Sequence, residues 1–131
     1  GKLMSNVKNL FAACINCYEE NDVFTIGIGD DNHDPKNFII IGRFDEDELP
    51  VNECIGFQSE STEYEITDSI RSVQLTEDKL VIVLNEDAVK MVGIREYHVV
   101  LPAAKDSKSL GKCLREVFEG SDVPLQLPYE F

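Results

Sequence analysis

The sequence has no apolar run that approaches the ~20 residues of a membrane-spanning helix. It also has no charged-then-apolar segment of the kind that directs secretion, no low-complexity stretch, no internal repeat and no proline- or serine-rich linker. Domains typically contain roughly 100–150 residues. These observations predict a single cytoplasmic domain over residues 1–131 with no membrane partner, in which residues 1–8 form a flexible end.

Cysteine is scarce as well. The four cysteines, Cys14, Cys17, Cys54 and Cys113, are too few and too scattered for a disulfide framework. Cys14 and Cys17 have the spacing of half a zinc site, but residues three apart on a strand point to opposite faces. No second cysteine pair follows to complete such a site. We therefore expect reduced, buried, structural cysteines, with no metal and no cofactor.

Catalytic motifs are missing. Gly27-x-Gly29 follows a predicted strand, but no third glycine follows, and the two aspartates that come next would repel a phosphate. No serine lies in a Gly-x-Ser-x-Gly turn. His98 is predicted on the polar face of a strand beside Glu96, and the sequence identifies no nucleophile for it to activate. The sequence therefore predicts a protein that is not an enzyme.

Basic residues are few, with 12 Lys and Arg against 25 Asp and Glu, and the net charge is −13. The imbalance lies in residues 19–68, where fifteen acidic residues face only Lys36 and Arg43. One interpretation is a set of solvated loops. The other is a negative face that steers and selects a basic partner. Direct nucleic-acid binding is disfavoured, because this charge would repel phosphates.

Strand patterns dominate the chain. Apolar periodicity predicts strands over residues 10–18, 23–29, 37–44, 55–60, 72–75, 80–84 and 95–101. The continuous apolar run over 38–41 suggests burial on both faces. Asn85 and Gly93 predict the two ends of a short helix, and a second helix is predicted over 107–119 with Gly120 as its stop. We predict an α+β fold, with a mainly antiparallel sheet of six or more strands and two helices packed on one face.

A succession of core and turn residues has a counterpart in a known family. It runs Asn37-Phe38-Ile39-Ile40-Ile41-Gly42-Arg43-Phe44-Asp45-Glu46-Asp47-Glu48, then Gly56-Phe57-Gln58-Ser59-Glu60, then Ile70-x-x-Val73-x-Leu75-x-x-Asp78-x-Leu80-x-Ile82-x-Leu84. It closes with the predicted strand over 95–101 and the helix Leu110-x-x-x-Leu114-x-x-x-Phe118-x-Gly120. This order over residues 9–120 resembles the bacterial immunity protein 10 family, an antidote family of polymorphic toxin systems. The chain departs from that family at residues 64–68, which replace a glycine-rich step.

The resemblance implies a cytoplasmic protein that is made alongside a toxin, binds it and blocks its activity without any chemistry of its own. Many such toxins are nucleases with basic grooves, so we expect the acidic surface to occupy the groove of a basic toxin. The predicted toxin-binding residues are Asp30, Asp31, Asp34, Asp45, Glu46, Asp47, Glu48, Glu60, Glu63, Tyr64, Glu65 and Asp68. Phe44, Phe57 and Tyr64 are candidate apolar anchors, with a core position as the equal alternative for Phe44 and Phe57. Arg43 is a candidate structural counter-charge.

Two alternatives stay open at this point. One is an interaction domain whose partner is not a toxin. The other is a small ligand-binding or enzymatic domain, which would require a deep pocket that holds His98 with a carboxylate. The sequence also leaves open whether residues 122–131 form an edge strand or a tail across the sheet.

Overall fold

The computed structural model describes residues 6–129, which form ten strands, two α-helices and one 3₁₀ helix. The strands are β1 (Val7–Phe11), β2 (Cys14–Glu20), β3 (Val23–Gly29), β4 (Phe38–Arg43), β5 (Ile55–Ser59), β6 (Ile66–Thr67), β7 (Ile70–Leu75), β8 (Lys79–Leu84), β9 (Glu96–Val100) and β10 (Leu125–Gln126). The helices are α1 (Glu86–Val92) and α2 (Ala104–Phe118), and the 3₁₀ helix covers Val51–Cys54. The predicted α+β class, with mainly antiparallel strands and two helices, is confirmed. Of the predicted flexible end, residues 1–5 lie outside the described residues, and Val7 and Lys8 belong to β1.

The strands form two five-stranded sheets, not the single sheet of six or more strands that we predicted. The first sheet has the order β1-β9-β8-β7-β10, and the second has the antiparallel order β2-β3-β4-β5-β6. The predicted strand over 10–18 is divided between them. The Ala12 N–H donates to the Val100 carbonyl of the first sheet, and the Ala13 N–H donates to the Gly29 carbonyl of the second. Consecutive N–H groups of an extended chain point to opposite sides, so this segment joins a different sheet on each side.

One apolar core is built from the inner faces of both sheets and from α2. Alternate residues of each strand point into it, because the side-chain period of a strand is two. On β3, for example, Ile26 and Ile28 are almost fully buried. The Phe57 ring of the second sheet meets the Tyr97 ring of the first edge-on, with ring centroids 5.0 Å apart. Phe57 is therefore a core residue and not a surface anchor.

The isoleucine-rich run of β4 is buried on one face only. Ile39 and Ile41 are completely buried, whereas Phe38 and Ile40 are half-buried. On the outer face of the sheet, Phe38 and Ile40 line a groove together with Gly27. The prediction that this run is buried on both faces is wrong, because the core covers only the inner face.

The predicted ends of α1 are confirmed. The Asn85 side-chain oxygen accepts a hydrogen bond from the Ala88 N–H at 3.0 Å, which satisfies one of the unpaired donors at the start of the helix. Gly93 ends the helix with a φ of 84°, a left-handed conformation that costs glycine little. Its N–H donates to the Val89 carbonyl at 2.8 Å.

The second helix begins at Ala104, earlier than the predicted residue 107. Ser107 is not the cap of this helix; it is buried, and its hydroxyl donates to the Thr76 carbonyl at 2.7 Å. The spacing of Leu110, Cys113, Leu114, Val117 and Phe118 predicts one apolar stripe on this helix. The stripe is confirmed, since four of the five residues are buried and Cys113 is half-buried. The helix lies along β2 and β3. The predicted packing of both helices on one face of a sheet is not confirmed.

A disulfide joins Cys17 of β2 to Cys113 of α2, so the prediction of reduced cysteines is wrong for this pair. The two residues are 96 positions apart in the sequence, and only the packing of α2 along β2 brings them together. Cys17 is also exposed, not buried as predicted. Cys14 and Cys54 are free.

The segment that the sequence left undecided supplies an edge strand. β10 pairs in parallel with β7, with Leu125 opposite Val73 and Gln126 opposite Gln74. Residues 130 and 131 lie outside the described residues.

Candidate protein-binding surface

The predicted acidic residues lie at opposite ends of the second sheet. The 30–37 loop and the segment after Ser59 share one end, because Phe38 pairs with Gly29 and Ile39 pairs with Ser59. The 45–48 loop follows the other end of β4. Residues 63–68 lie between these two ends along β5. Thr67 of β6 pairs with Gly56, and the Asp68 N–H donates to the Ile55 carbonyl, which places Asp68 near the end that carries the 45–48 loop.

Two of the predicted carboxylates, those of Asp30 and Asp31, accept hydrogen bonds within the 30–37 loop. The Asp30 carboxylate accepts hydrogen bonds from the Asn37 side chain at 2.8 Å and from the Lys36 N–H at 3.0 Å. The Asn37 bond is the main reason why the pKa of Asp30 lies below its ordinary value. The Asp31 carboxylate accepts the Asp34 N–H at 2.8 Å, and this bond lowers the pKa of Asp31. Both groups are ionised. Asp31 is exposed and Asp30 is half-buried, and part of the hydrogen-bonding capacity of each carboxylate is used within the loop.

Glu60 connects three parts of the fold. One of its carboxylate oxygens accepts the Phe38 N–H at 2.8 Å, and the other pairs with the Lys8 ammonium at 2.9 Å. Burial raises the pKa of Glu60, but Lys8 and the Phe38 N–H outweigh burial, and the resulting pKa lies below its ordinary value. Glu60 was predicted as a toxin contact. Its partners give it a structural role at the junction of β1, β4 and β5.

Arg43 donates hydrogen bonds to the carbonyl groups at the C-terminal end of α2. Its Nη1 donates to the Val117 carbonyl at 3.1 Å and to the Glu119 carbonyl at 2.6 Å. Its Nε pairs with the Asp45 carboxylate at 3.0 Å. The last carbonyls of a helix have no partner within the helix, and a cation there is stabilised by the helix dipole. The structural role predicted for Arg43 is confirmed by these contacts.

The remaining predicted carboxylates have weak intramolecular partners or none within the described residues, so they can contact another protein. Asp34 pairs with Lys36 at 3.4 Å, an exposed contact that contributes little. Within residues 6–129, no hydrogen bond or ion pair is made by the carboxylates of Glu46, Asp47, Glu48, Glu63, Glu65 and Asp68. The Glu65 side chain lies over Gly56, where any added Cβ would collide with it.

A cleft of about 800 Å³ lies between residues 61–67 and the end of α1. Tyr64 and Met91 line it, and they are the most exposed large hydrophobic side chains of the described residues, at 75% and 69%. Glu63 and Glu65 border the same cleft. An apolar centre with a charged rim is typical of surfaces that bind other proteins.

Tyr64, Glu63 and Glu65 were identified from the sequence, whereas Met91 was not. The short helix α1 is rich in apolar residues, and only packing shows which of them face the core. Ala88 is buried, Val89 and Val92 are half-buried, and Met91 is left in solvent. The apolar pattern of so short a helix does not distinguish these positions.

A second cleft, of about 920 Å³, lies at the Arg43 end of the second sheet. The end of β2, the turn after it, the loop after β4 and the end of α2 supply the acidic residues of this cleft, which are Glu19, Asp22, Asp45, Glu116 and Glu119. The half-buried Phe44 also lines it. Of these acidic residues only Asp45 was predicted. Glu116 and Glu119 are far away in sequence and arrive because Arg43 holds the end of α2 against β4.

The described part of the chain contains no group of three or more His, Cys, Asp or Glu residues arranged to hold a metal ion. His98 pairs with Glu96, as their neighbouring positions on β9 suggested, with 2.7 Å between Nε2 and the carboxylate oxygen. Among residues 6–129, no helix has the length and apolarity needed to cross a membrane.

Comparison of the chain with protein-family models and with curated proteins finds no match. The resemblance to the immunity protein 10 family therefore stays a prediction from the residues.

Proposed function

We propose that this protein is an immunity protein that binds and neutralises a cognate bacterial toxin domain in the cytoplasm. The observation that carries the proposal is the pairing of Tyr64 with Met91 in one solvent-exposed cleft. Binding energy at protein interfaces is concentrated in a few aromatic and other large side chains near the centre of the contact. Methionine adapts its shape to a partner. These two side chains have the chemistry and the exposure of such a centre.

The charges around this cleft support a basic partner. Glu63 and Glu65 border it without ion pairs of their own and would meet lysine or arginine side chains of a nuclease groove. The 45–48 loop follows β4 at the end of the sheet towards which β6 runs, because Thr67 pairs with Gly56 and Gly56 pairs with Gly42. Its charge acts mainly by attracting a basic partner at low salt.

The test uses the purified, catalytically inactive toxin domain that is encoded beside this protein. The double variant Tyr64→Ala with Met91→Ala is expected to weaken binding about 1,000-fold, because truncating such centres commonly costs about 2 kcal/mol each and every 1.4 kcal/mol is tenfold in affinity. The matched control is Phe11→Ala with Tyr18→Ala, which removes two exposed apolar side chains, at 53% and 51%, elsewhere on the surface. Titration calorimetry of the three proteins measures the difference.

A second pair of variants tests the charges. Glu63→Lys with Glu65→Lys is expected to slow association at low salt, whereas Glu77→Lys with Asp122→Lys, an equal change of charge elsewhere, has a smaller effect. If the unaltered protein does not bind the toxin, the immunity proposal is wrong. If it binds and the Tyr64 and Glu63 variants match their controls, the function holds but the surface lies elsewhere.

A further inference from the structure

The solvent face of α2 carries four cations in a protein whose net charge is −13. Lys105, Lys108, Lys112 and Arg115 are spaced by three, four and three residues, which places them in one stripe of an α-helix. All four are exposed, and within residues 6–129 none of them forms an ion pair. We call these four residues the basic stripe.

The stripe is unusual because several other basic residues of this protein are paired with carboxylates. The chain has 12 Lys and Arg in total, and several of them are paired with acidic residues, as Lys8 is with Glu60 and Arg95 is with Glu86. The basic stripe gathers four cations on one helix, and none of them is paired with a carboxylate of residues 6–129; Lys108 Nζ lies over the Tyr129 ring, 5.5 Å from its centroid. Like charges at neighbouring positions of a helix destabilise it slightly. The helix dipole favours Arg115, which lies in the last turn of α2, but it does not favour the three lysines, which lie before that turn.

A depression of about 570 Å³ adjoins the stripe. Lys112 and Arg115 form its basic side, and the other lining residues are Phe118, Leu125, Glu116 and Glu119. Leu125 belongs to the edge strand β10 and is half-buried. Cationic groups therefore border a small apolar floor, and two carboxylates close the side towards the end of the helix.

We propose that the basic stripe binds an acidic segment of a partner protein, with carboxylates on the four cations and one apolar side chain in the depression beside Leu125. A stripe of this spacing is about 15 Å long, which suits a short segment. A nucleic acid would extend beyond it and bring phosphates against Glu116 and Glu119. The overall negative charge would also repel a long polyanion.

This surface is separate from the proposed toxin site. α2 lies along β2 and β3, whereas Tyr64 precedes β6, and β2 and β6 are the opposite edges of the second sheet. The two surfaces also select opposite charges. An acidic segment would therefore bind at α2 whether or not a basic partner occupies the cleft at Tyr64, and the inference does not depend on the immunity function.

The probe is a short synthetic peptide of glutamates with a single central leucine, labelled for fluorescence anisotropy and titrated with the full protein at low salt. The test variant replaces Lys105, Lys108, Lys112 and Arg115 with Gln, which keeps helix propensity high. The matched control replaces Lys36, Arg71, Lys79 and Lys90 with Gln. Both variants lose three lysines and one arginine from exposed positions, so they have the same net charge.

We expect the unaltered protein and the control variant to bind the peptide, and the stripe variant to lose about tenfold or more in affinity, because each exposed ion pair contributes a modest amount. Replacing the central leucine with glutamate is expected to weaken binding to the unaltered protein as well. The proposal is wrong if the unaltered protein does not bind the peptide, or if both variants lose affinity equally. Tighter binding of a single-stranded oligonucleotide of equal charge would assign the stripe to nucleic acid instead. A thermal melt of each variant checks that it is folded.

Discussion

The hydroxyl groups of Tyr97 and Ser59 lie 2.7 Å apart, where β9 of the first sheet meets β5 of the second. Both residues are almost completely buried, and burial raises the pKa of Tyr97. The Ser59 hydroxyl also accepts the Ser61 N–H at 3.1 Å. The two sheets are therefore joined by a polar contact as well as by the Phe57–Tyr97 ring contact.

We predict that Tyr97→Phe lowers the free energy of unfolding by about 1–2 kcal/mol, because the Ser59 hydroxyl loses a buried partner. Urea unfolding followed by circular dichroism measures the change. Tyr18→Phe is the matched control, since the Tyr18 side chain is 51% exposed and its hydroxyl can be hydrated. Equal stability of the two variants would show that the Tyr97–Ser59 contact contributes nothing.

Arg43→Met is predicted to destabilise the protein by about 1–3 kcal/mol, because it leaves the last carbonyls of α2 and the Asp45 carboxylate without their donor. Arg43→Lys keeps the charge but not the forked geometry, and we expect it to recover only part of the loss. Thermal unfolding is the measurement, and Lys36→Met, at a strongly exposed position, is the control. A fully stable Arg43→Met protein would contradict the structural role of this residue.

Glu60 is predicted to make stability depend on pH. Its folded-state pKa lies below its ordinary value of 4.5, so its contribution is present above pH 4.5 and is lost as the pH falls through the folded-state pKa. The difference in unfolding free energy between the unaltered protein and Glu60→Gln should therefore be larger at pH 6 than at pH 3. Asp47→Asn, which removes an exposed carboxylate that has no hydrogen-bond or ion-pair partner within residues 6–129, is the matched control. If the difference in unfolding free energy between the unaltered protein and Glu60→Gln is the same at both pH values, the lowered pKa of Glu60 is refuted.

The Cys17–Cys113 disulfide is predicted to raise the melting temperature. A cross-link that closes a loop of about 100 residues contributes up to ~4–5 kcal/mol by restricting the unfolded chain. Dithiothreitol should lower the melting temperature of the unaltered protein and of Cys14→Ser, but not that of Cys17→Ser with Cys113→Ser. Identical melting with and without the reductant would show that the pair is not linked in solution. Cytosolic proteins seldom keep disulfides, so a large effect would also bear on the proposed cytoplasmic location.

Several parts of the fold were predictable from sequence patterns that extend over only a few residues. The caps of α1 at Asn85 and Gly93 were predictable because a cap is a hydrogen bond or a backbone conformation within one turn. The hairpin of β7 and β8 and the strand at residues 23–29 were predictable because alternating apolar residues define one face of a strand. The paired position of His98 and Glu96 follows from the same alternation. In each case the residues that interact are neighbours in the sequence.

The candidate site was predictable only in part. Glu63, Tyr64 and Glu65 were identified because a charged segment with an aromatic residue stands out in the sequence. The sequence did not show that the carboxylates of Asp30, Asp31 and Glu60 accept hydrogen bonds from within the fold, because the positions of their partners depend on the path of the loops. It also did not show that Met91 comes to lie beside Tyr64.

By itself, the sequence determined the α+β class, the order of nearly all the elements, the apolar stripe of α2 and the concentration of negative charge in residues 19–68. Tertiary structure alone decided that the strands divide into two sheets at Ala12 and Ala13, that Cys17 meets Cys113, and that Arg43 holds the end of α2. The physical reason is the separation in sequence of the residues that interact. Local patterns report propensities within a turn or a strand, whereas these contacts join residues that only the closing of the whole core brings together.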